Sequence, residues 1–212
     1  MRVAVLASGG GSNLQALLDS LGPEAPARVV LVASNKAEAY ALERARKSDV
    51  PARLITDPSD GEALLGLLRE YRVDLVVLAG YLKLVPVTVV RAFAGRIINI
   101  HPALLPAFGG AGMYGRRVHE AVLASGATVT GATVHIVDEE YDRGPVVAQW
   151  PVAVKPGDTA ETLAARVLEV EHRLLPRVVL ETAKAGRVVR LFPATQFGPP
   201  ALTVGDDSPR TV

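Results

Sequence analysis

The chain has 212 residues, 49% hydrophobic and 21% charged, which supplies a substantial core and argues against disorder along its length. Lys and Arg (23) nearly cancel Asp and Glu (22), leaving +1, and aromatics are only 5%, so neither a general nucleic-acid surface nor a base-stacking platform is indicated. Cysteine is absent, which removes disulfides, thiolate metal sites and a cysteine nucleophile; no signal peptide is apparent, and no apolar run approaches the ~20 residues of a membrane span.

Arg2–Ala7 reads as a buried first strand, Ser8–Asn13 (SGGGSN) as a glycine loop, and Leu14–Leu18 as the opening of a helix. Strand, glycine loop and helix start form an anion site, because free backbone N–H groups and the positive end of the helix dipole face the ligand. Ser12 or Asn13 could cap the helix or touch a phosphate. The loop is not a Walker A motif, since no Gly-Lys-Ser/Thr follows. It is not a dinucleotide loop either: Leu14 stands where the last glycine of G-x-G-x-x-G would be. The second strand, Arg28–Ser34, ends in Asn35 rather than the acid that holds an NAD ribose. A small phosphorylated ligand fits better; a tight turn without a ligand is the plain alternative. Ala37–Lys47 is patterned as a helix, Ala52–Thr56 as a strand, Asp57–Gly61 as a loop and Glu62–Tyr71 as a helix. Apart from Asp74, Val73–Gly80 is an unbroken apolar run, as in a strand covered on both faces. The loop after it, Tyr81–Pro86 (YLKLVP), is apolar, which is odd unless something lies on it. Otherwise its leucines pack under the next helix, Val87–Phe93.

Arg96–Ile100 is a β-branched strand halted at His101-Pro102. Asn99 and His101 are two residues apart and leave the pleat on one face, at the strand end where open α/β sheets bind ligands. An amide donor and an imidazole aimed at one point can stabilise an oxyanion and move a proton; they can equally do no more than satisfy the turn. Ala103–Gly112 is rich in Gly and Pro, and nothing in it asks for a cis Leu105-Pro106 bond. Arg116–Ser125 is expected as a helix with Arg116, Arg117, His119 and Glu120 on its solvated face. Thr128–Val137 and Val146–Val154 read as an antiparallel pair, with His135 buried in support. The connection between them carries Asp138, Glu139, Glu140 and Asp142, a solvated turn or a cation site without EF-hand spacing. Asp158–Glu161 has capping-box spacing ahead of a long helix with Leu163, Val167 and Val170 on its apolar side and Glu171-His172 further along, His172 taken as structural. Val188–Leu191 is expected as a final edge strand. Residues 192–212, proline-rich and poor in large apolar side chains, are expected as a poorly ordered tail after a single domain, 1–191, and as dispensable for folding and turnover.

Asn99–Pro106 (NIHPALLP) resembles the N-I-H-P-S-L-L-P signature of the formyltransferases that use 10-formyltetrahydrofolate, with Ala103 in place of the usual Ser. SGGGSNLQALLD, VDLVVLAGYLKLVP and TGATVHIVDEEYDRGPVVAQ are similar to further motifs of that family, in order, over about residues 1–190. The resemblance implies an α/β, Rossmann-like fold: a mostly parallel sheet, helices on both faces, and an antiparallel C-terminal part. It implies formyl transfer from 10-formyltetrahydrofolate, a co-substrate, to the amine of a phosphoribosylated acceptor in purine biosynthesis, with no metal. In that reading Asn99 and His101 donate to the oxyanion and His101 passes a proton to the leaving folate nitrogen. Asp142 faces His101 and favours its charged form. Gly11, Ser12 and Asn13 take the ribotide phosphate, and Glu171 contacts the ribotide. Leu82, Lys83, Leu84 and Val85, with Asp138, Glu139, Glu140 and Tyr141, take the folate.

Two departures stand out: no Arg lies in Asp57–Gly61, where relatives place one on the folate, and the loop around Gly109–Gly112 is longer than in many of them. Family members that act on tRNA or hydrolyse the donor carry an extra domain, for which this length leaves no room. The rival from another class is a non-catalytic phosphate-ligand module, which would keep the glycine loop without needing Asn99, His101 and Asp142. The expected setting is the cytoplasm and the expected partners are small molecules, not nucleic acid or membrane; a homodimer stays open.

Overall fold

The computed structural model describes residues 1–191; the expected tail and its dispensability lie outside the described residues. In chain order the elements are β1 (Arg2–Leu6), α1 (Ser12–Ser20), β2 (Arg28–Ser34), α2 (Tyr40–Lys47), β3 (Ala52–Leu54), α3 (Gly61–Glu70), β4 (Leu75–Leu78), α4 (Val87–Ala92), β5 (Ile97–His101), α5 (Arg116–Ala124), β6 (Val129–Ile136), β7 (Val146–Ala153) and α6 (Ala160–Ala185). They build one sheet of order β3-β2-β1-β4-β5-β6-β7. Strands β1 to β5 run parallel, and β6 and β7 are antiparallel.

Period-2 alternation divides the core into two layers. Val3, Val5, Leu75, Val77, Ile98 and Ile100 face one way, toward buried residues of α1, α2, α5 and α6. Ala4, Leu6, Val76, Leu78 and Ile97 face the other way, toward α3 and α4. The chain leaves β1 toward one sheet edge and returns as β4 on the other side of β1. This makes a switch point at which the loops after β1 and β4 open together, tied by Ser8 N–H to the Gly80 carbonyl at 2.9 Å.

Several local expectations need correction. α1 starts at Ser12 with Gly11 as its N-cap in left-handed backbone (φ 70), so neither Ser12 nor Asn13 caps it. α2 starts at Tyr40 rather than Ala37. The capping box of α6 sits one residue later than the sequence spacing. Thr159 and Thr162 bond each other reciprocally, while Asp158 grips the Arg166 guanidinium with both oxygens at 2.7 and 2.8 Å. Residues 188–191 form no strand; Leu191 N–H makes a single bond to the Val147 carbonyl on the outer edge of β7, at 2.8 Å. The Leu105-Pro106 bond is cis. Among the described residues no helix is long and apolar enough to cross a membrane.

Candidate active site

Pro102 stops β5, leaving Asn99 and His101 at its tip on the face of Ile97. The antiparallel register sets Asn99 opposite His135 and His101 opposite Thr133. Asp142 enters from the β6–β7 turn with left-handed backbone, φ 57. Its Oδ2 lies 3.6 Å from His101 Nδ1, and its Oδ1 lies 3.4 Å from both His135 Nε2 and Asn99 Nδ2. The three residues named from the sequence for the chemistry therefore converge, with His135 as a fourth.

Hydrogen-bond logic assigns the rings, since a backbone carbonyl can only accept. His101 Nε2 lies 2.8 Å from the Phe108 carbonyl, so its neutral ring carries hydrogen on Nε2 and leaves Nδ1 basic, toward Asp142. His135 Nδ1 lies 2.9 Å from the Ile136 carbonyl, so Nε2 accepts from the Asn99 amide at 3.1 Å. The glycine-rich segment after β5, whose role the sequence did not reveal, closes on this group. Gly110 N–H donates to Asp142 Oδ2 at 2.9 Å, and a Cβ at Gly109 would meet Asp142 Cβ at 3.1 Å. Phe108 is itself left-handed (φ 56), backbone strain of the sort that gathers at functional sites.

His101 is 3% exposed, and burial pushes its imidazole below the usual value; Asp142 and the Phe108 carbonyl act in the other direction without cancelling it. Burial also acts to raise Asp142, but His101 and the Gly110 N–H help to keep it below the ordinary carboxylate value.

A cleft of about 690 Å³ runs past these groups, a volume suited to small-molecule ligands. In its lining Asn13 Nδ2 donates to Glu171 Oε2 at 2.6 Å, while Asn13 Oδ1 is buried without a hydrogen-bond partner among the described residues. Leu82 and Leu84 are each 41% exposed, so they line the cleft rather than pack under α4. Val85 touches the cleft but is 2% exposed and belongs to the α3–α4 core. Lys83, Glu140 and Tyr141 line the cleft as well; Asp138 and Glu139 do not. Asp138 accepts from the Glu140 N–H at 3.0 Å, and Glu139 pairs with Arg91 at 2.9 Å on the surface. Gly11 and Ser12 lie just beyond the mapped cavity, next to Asn13.

Sequence reading missed His119 and Ser8. The sequence places His119 on the solvated face of its helix, yet it is 4% exposed, lines the cleft and has a buried Nδ1 without a hydrogen-bond partner among the described residues. Its position three residues before the buried Val122 was the available signal. The Ser8 hydroxyl donates to Asn35 Oδ1 at 2.6 Å and accepts from Leu82 N–H at 3.0 Å, joining the glycine loop to the apolar loop.

Burial pushes Glu171 up to about 7, against the Asn13 bond that lowers it. A carboxyl with a raised folded-state pKa contributes stability below its unfolded value and loses it as pH rises through the folded one. Glu171→Gln should therefore melt near wild type at about pH 4.5. Its advantage should grow until roughly pH 7, where removal of a buried charge is worth on the order of 3 kcal/mol. Thermal melts of both proteins across this range check it; a difference that does not vary with pH would mean that Glu171 is well solvated.

A family model described as Formyl transferase matches residues 1–179. The chain is 49% identical over 186 residues to a chloroplastic phosphoribosylglycinamide formyltransferase of Arabidopsis thaliana, covering 84% of this chain and 64% of that protein. It therefore spans less than two thirds of the plant relative. Over 186 residues it is 38% identical to the phosphoribosylglycinamide formyltransferase of Bacillus subtilis, with 84% and 92% of the two chains covered. The crystal structure of glycinamide ribonucleotide transformylase 1 from Symbiobacterium toebii superposes with a TM-score of 0.82 at 42% identity, over 91% of this chain and 94% of that one. Matched from its first strand into its last helix, and superposed on a solved relative over 91% of its length, the chain belongs to the formyl transferase family.

Proposed function

We propose that the chain transfers a formyl group from 10-formyltetrahydrofolate to the amine of phosphoribosylglycinamide, a step of purine biosynthesis. The observation that carries this is the meeting of Asn99, His101 and Asp142 in a cleft that both polar and apolar groups line. Asn13 and Glu171, beside the open start of α1, suit a ribotide; the exposed Leu82 and Leu84 suit a flat pterin. The names of the plant and bacterial relatives support the same acceptor.

The acceptor amine is the nucleophile. Its nitrogen bonds the formyl carbon, the carbonyl electron pair moves to oxygen, and the tetrahedral intermediate collapses with loss of the folate nitrogen. Asn99 donates to the oxyanion by giving up the longer of its two N–H contacts, the 3.4 Å one to Asp142. A neutral His101 suits the proton's path: Nδ1 takes it from the attacking amine, directly or through water, and returns it to the leaving nitrogen. Asp142, 3.6 Å away, stabilises the imidazolium in between. Asn13 and the Gly11–Ser12 backbone hold the phosphate.

Purified protein is mixed with the folate donor and, in turn, with the ribotide, its dephosphorylated analogue and no acceptor, while absorbance reports deformylated folate. The expected result is turnover with the ribotide at a kcat/KM roughly 10²-fold above the analogue, the scale of one or two charge-assisted contacts. Equal values would remove the phosphate from the glycine loop. Turnover without acceptor would mark a hydrolase, and none with any acceptor a binding module.

A further inference from the structure

The glycine loop carries no cation of its own; the Lys that a Walker A loop would supply is absent. It also cannot hold its own shape, since Gly9, Gly10 and Gly11 bring no side chains. The first turns of α2 brace it. Ala41 N–H donates to the Gly9 carbonyl at 3.1 Å, and Arg44 Nε–H donates to the Gly10 carbonyl at 2.8 Å. Gly11 presses so closely on α2 that an added Cβ would stand 2.8 Å from Ala41 Cα. These bonds draw two carbonyl oxygens, which would repel an anion, toward α2. Among the described residues the N–H groups of Ser12, Asn13 and Leu14 have no hydrogen-bond partner, because the first helical bond of α1 is Gln15 N–H to the Gly11 carbonyl.

Arg44 does more than brace. Its Nη1 donates to Gln15 Oε1 at 3.0 Å, so the guanidinium spans the loop and the first turn of α1, with the Tyr40 ring 4.9 Å beneath it. Those two bonds use two of its five N–H donors. Among the described residues it is the cation in hydrogen-bond contact with the loop. Its field reaches α6, where burial and then Arg44 hold His172 below its ordinary value.

Taking the glycine loop as the phosphate seat proposed above, we infer that Arg44 is a specificity-determining residue for the acceptor's phosphate. It shapes the loop through Gly10 and supplies from a neighbouring helix the positive charge that the loop lacks. Arg44 lies outside the cleft walls, so it acts on the phosphate end alone and not on the folate or the reacting atoms.

The test compares wild type with Arg44→Gln, which keeps a donor for Gly10 but drops the charge, Arg44→Lys, which keeps the charge, and Arg46→Met, a surface control on the same helix. For each, kcat and KM are measured with the ribotide and its dephosphorylated analogue, together with Tm and competitive inhibition by inorganic phosphate. Arg44→Gln should raise the ribotide KM and the inhibition constant of inorganic phosphate by roughly 10–100-fold, with kcat nearly unchanged and the analogue unaffected. Arg44→Lys should retain most of the discrimination, and Arg46→Met all of it. If Arg44→Gln discriminates as well as wild type, or weakens both acceptors equally alongside a lowered Tm, Arg44 is only a brace and the inference is wrong. If wild type itself does not discriminate, the fault lies in the phosphate seat instead. Should Arg44→Gln fail to fold, Arg44→Lys decides: loss of inorganic phosphate inhibition with Tm intact would overturn the role of charge.

Discussion

Replacing Asp142 with asparagine should lower kcat by roughly 10²–10³-fold, the loss typical of one preorganised electrostatic contact at a developing charge. The substitution keeps shape, and an amide oxygen can still accept the Gly110 N–H that Oδ2 accepts at 2.9 Å. The charge goes. Burial already pushes His101 below its usual value, with Asp142 as the leading influence in the other direction. Its removal leaves burial less opposed, so the imidazole pKa falls further and the imidazolium formed during proton transfer is less stable. Each tenfold change in protonation equilibrium corresponds to about 1.4 kcal/mol. Because the lost interaction is strongest after the proton arrives, kcat should suffer more than KM. Glu139→Gln is the control from the same turn: Glu139 pairs with Arg91 on the surface and does not line the cleft, so its loss should cost little. The measurements are pH profiles of kcat for the three proteins and NMR titration of His101. An Asp142→Asn protein with unchanged kcat and unchanged imidazole pKa would remove Asp142 from the chemistry.

The legible parts of this molecule were those set by local pattern. Continuous apolar runs marked the parallel strands; β2 has the bounds its sequence suggests, and Pro102 marks where β5 must stop. Asn99 and His101 could be read because polar side chains interrupt an apolar strand at its C-terminal end. The rest depended on contacts between distant segments. Asp142 meets His101 through the β5–β6 register and a left-handed turn, neither of which a run of acids shows. That Asp142 favours the charged imidazole follows from the motifs, whereas the burial that outweighs it depends on Phe108 and Gly110, which no local pattern shows. His119 reads as part of a solvated helix face, yet it is buried against the cleft, and no local pattern marks Arg44, which reaches the glycine loop from a separate helix.

Gly144→Ala should damage stability and activity together, through the turn that presents Asp142. Gly144 lies where β6 ends and β7 begins, beside the Ile136 N–H bond to the Pro145 carbonyl at 2.9 Å. A Cβ there would run into the Ile136 carbonyl oxygen and stand 2.9 Å from its carbon. The obstacle is backbone held in a ladder, not the free end of a side chain, so relief requires the strand ends to part. Overpacking of this kind costs about 1–3 kcal/mol, and the rigid neighbour places this site toward the upper end. For a domain of this size each kcal/mol lowers Tm by roughly 2–4 °C, so a fall of about 5–10 °C is expected. Asp142 is two residues away, and a displacement of about 1 Å at a proton-transfer group can cost on the order of 10² in rate. Gly66→Ala supplies the contrast: Gly66 sits inside α3 with nothing within 4 Å of an added Cβ, so alanine should stabilise by about 0.8–1 kcal/mol from helix propensity. Thermal melts and kcat for both variants make the comparison. Should Gly144→Ala keep wild-type melting and turnover, the turn is more pliable than its packing indicates, and Asp142 does not depend on it for position.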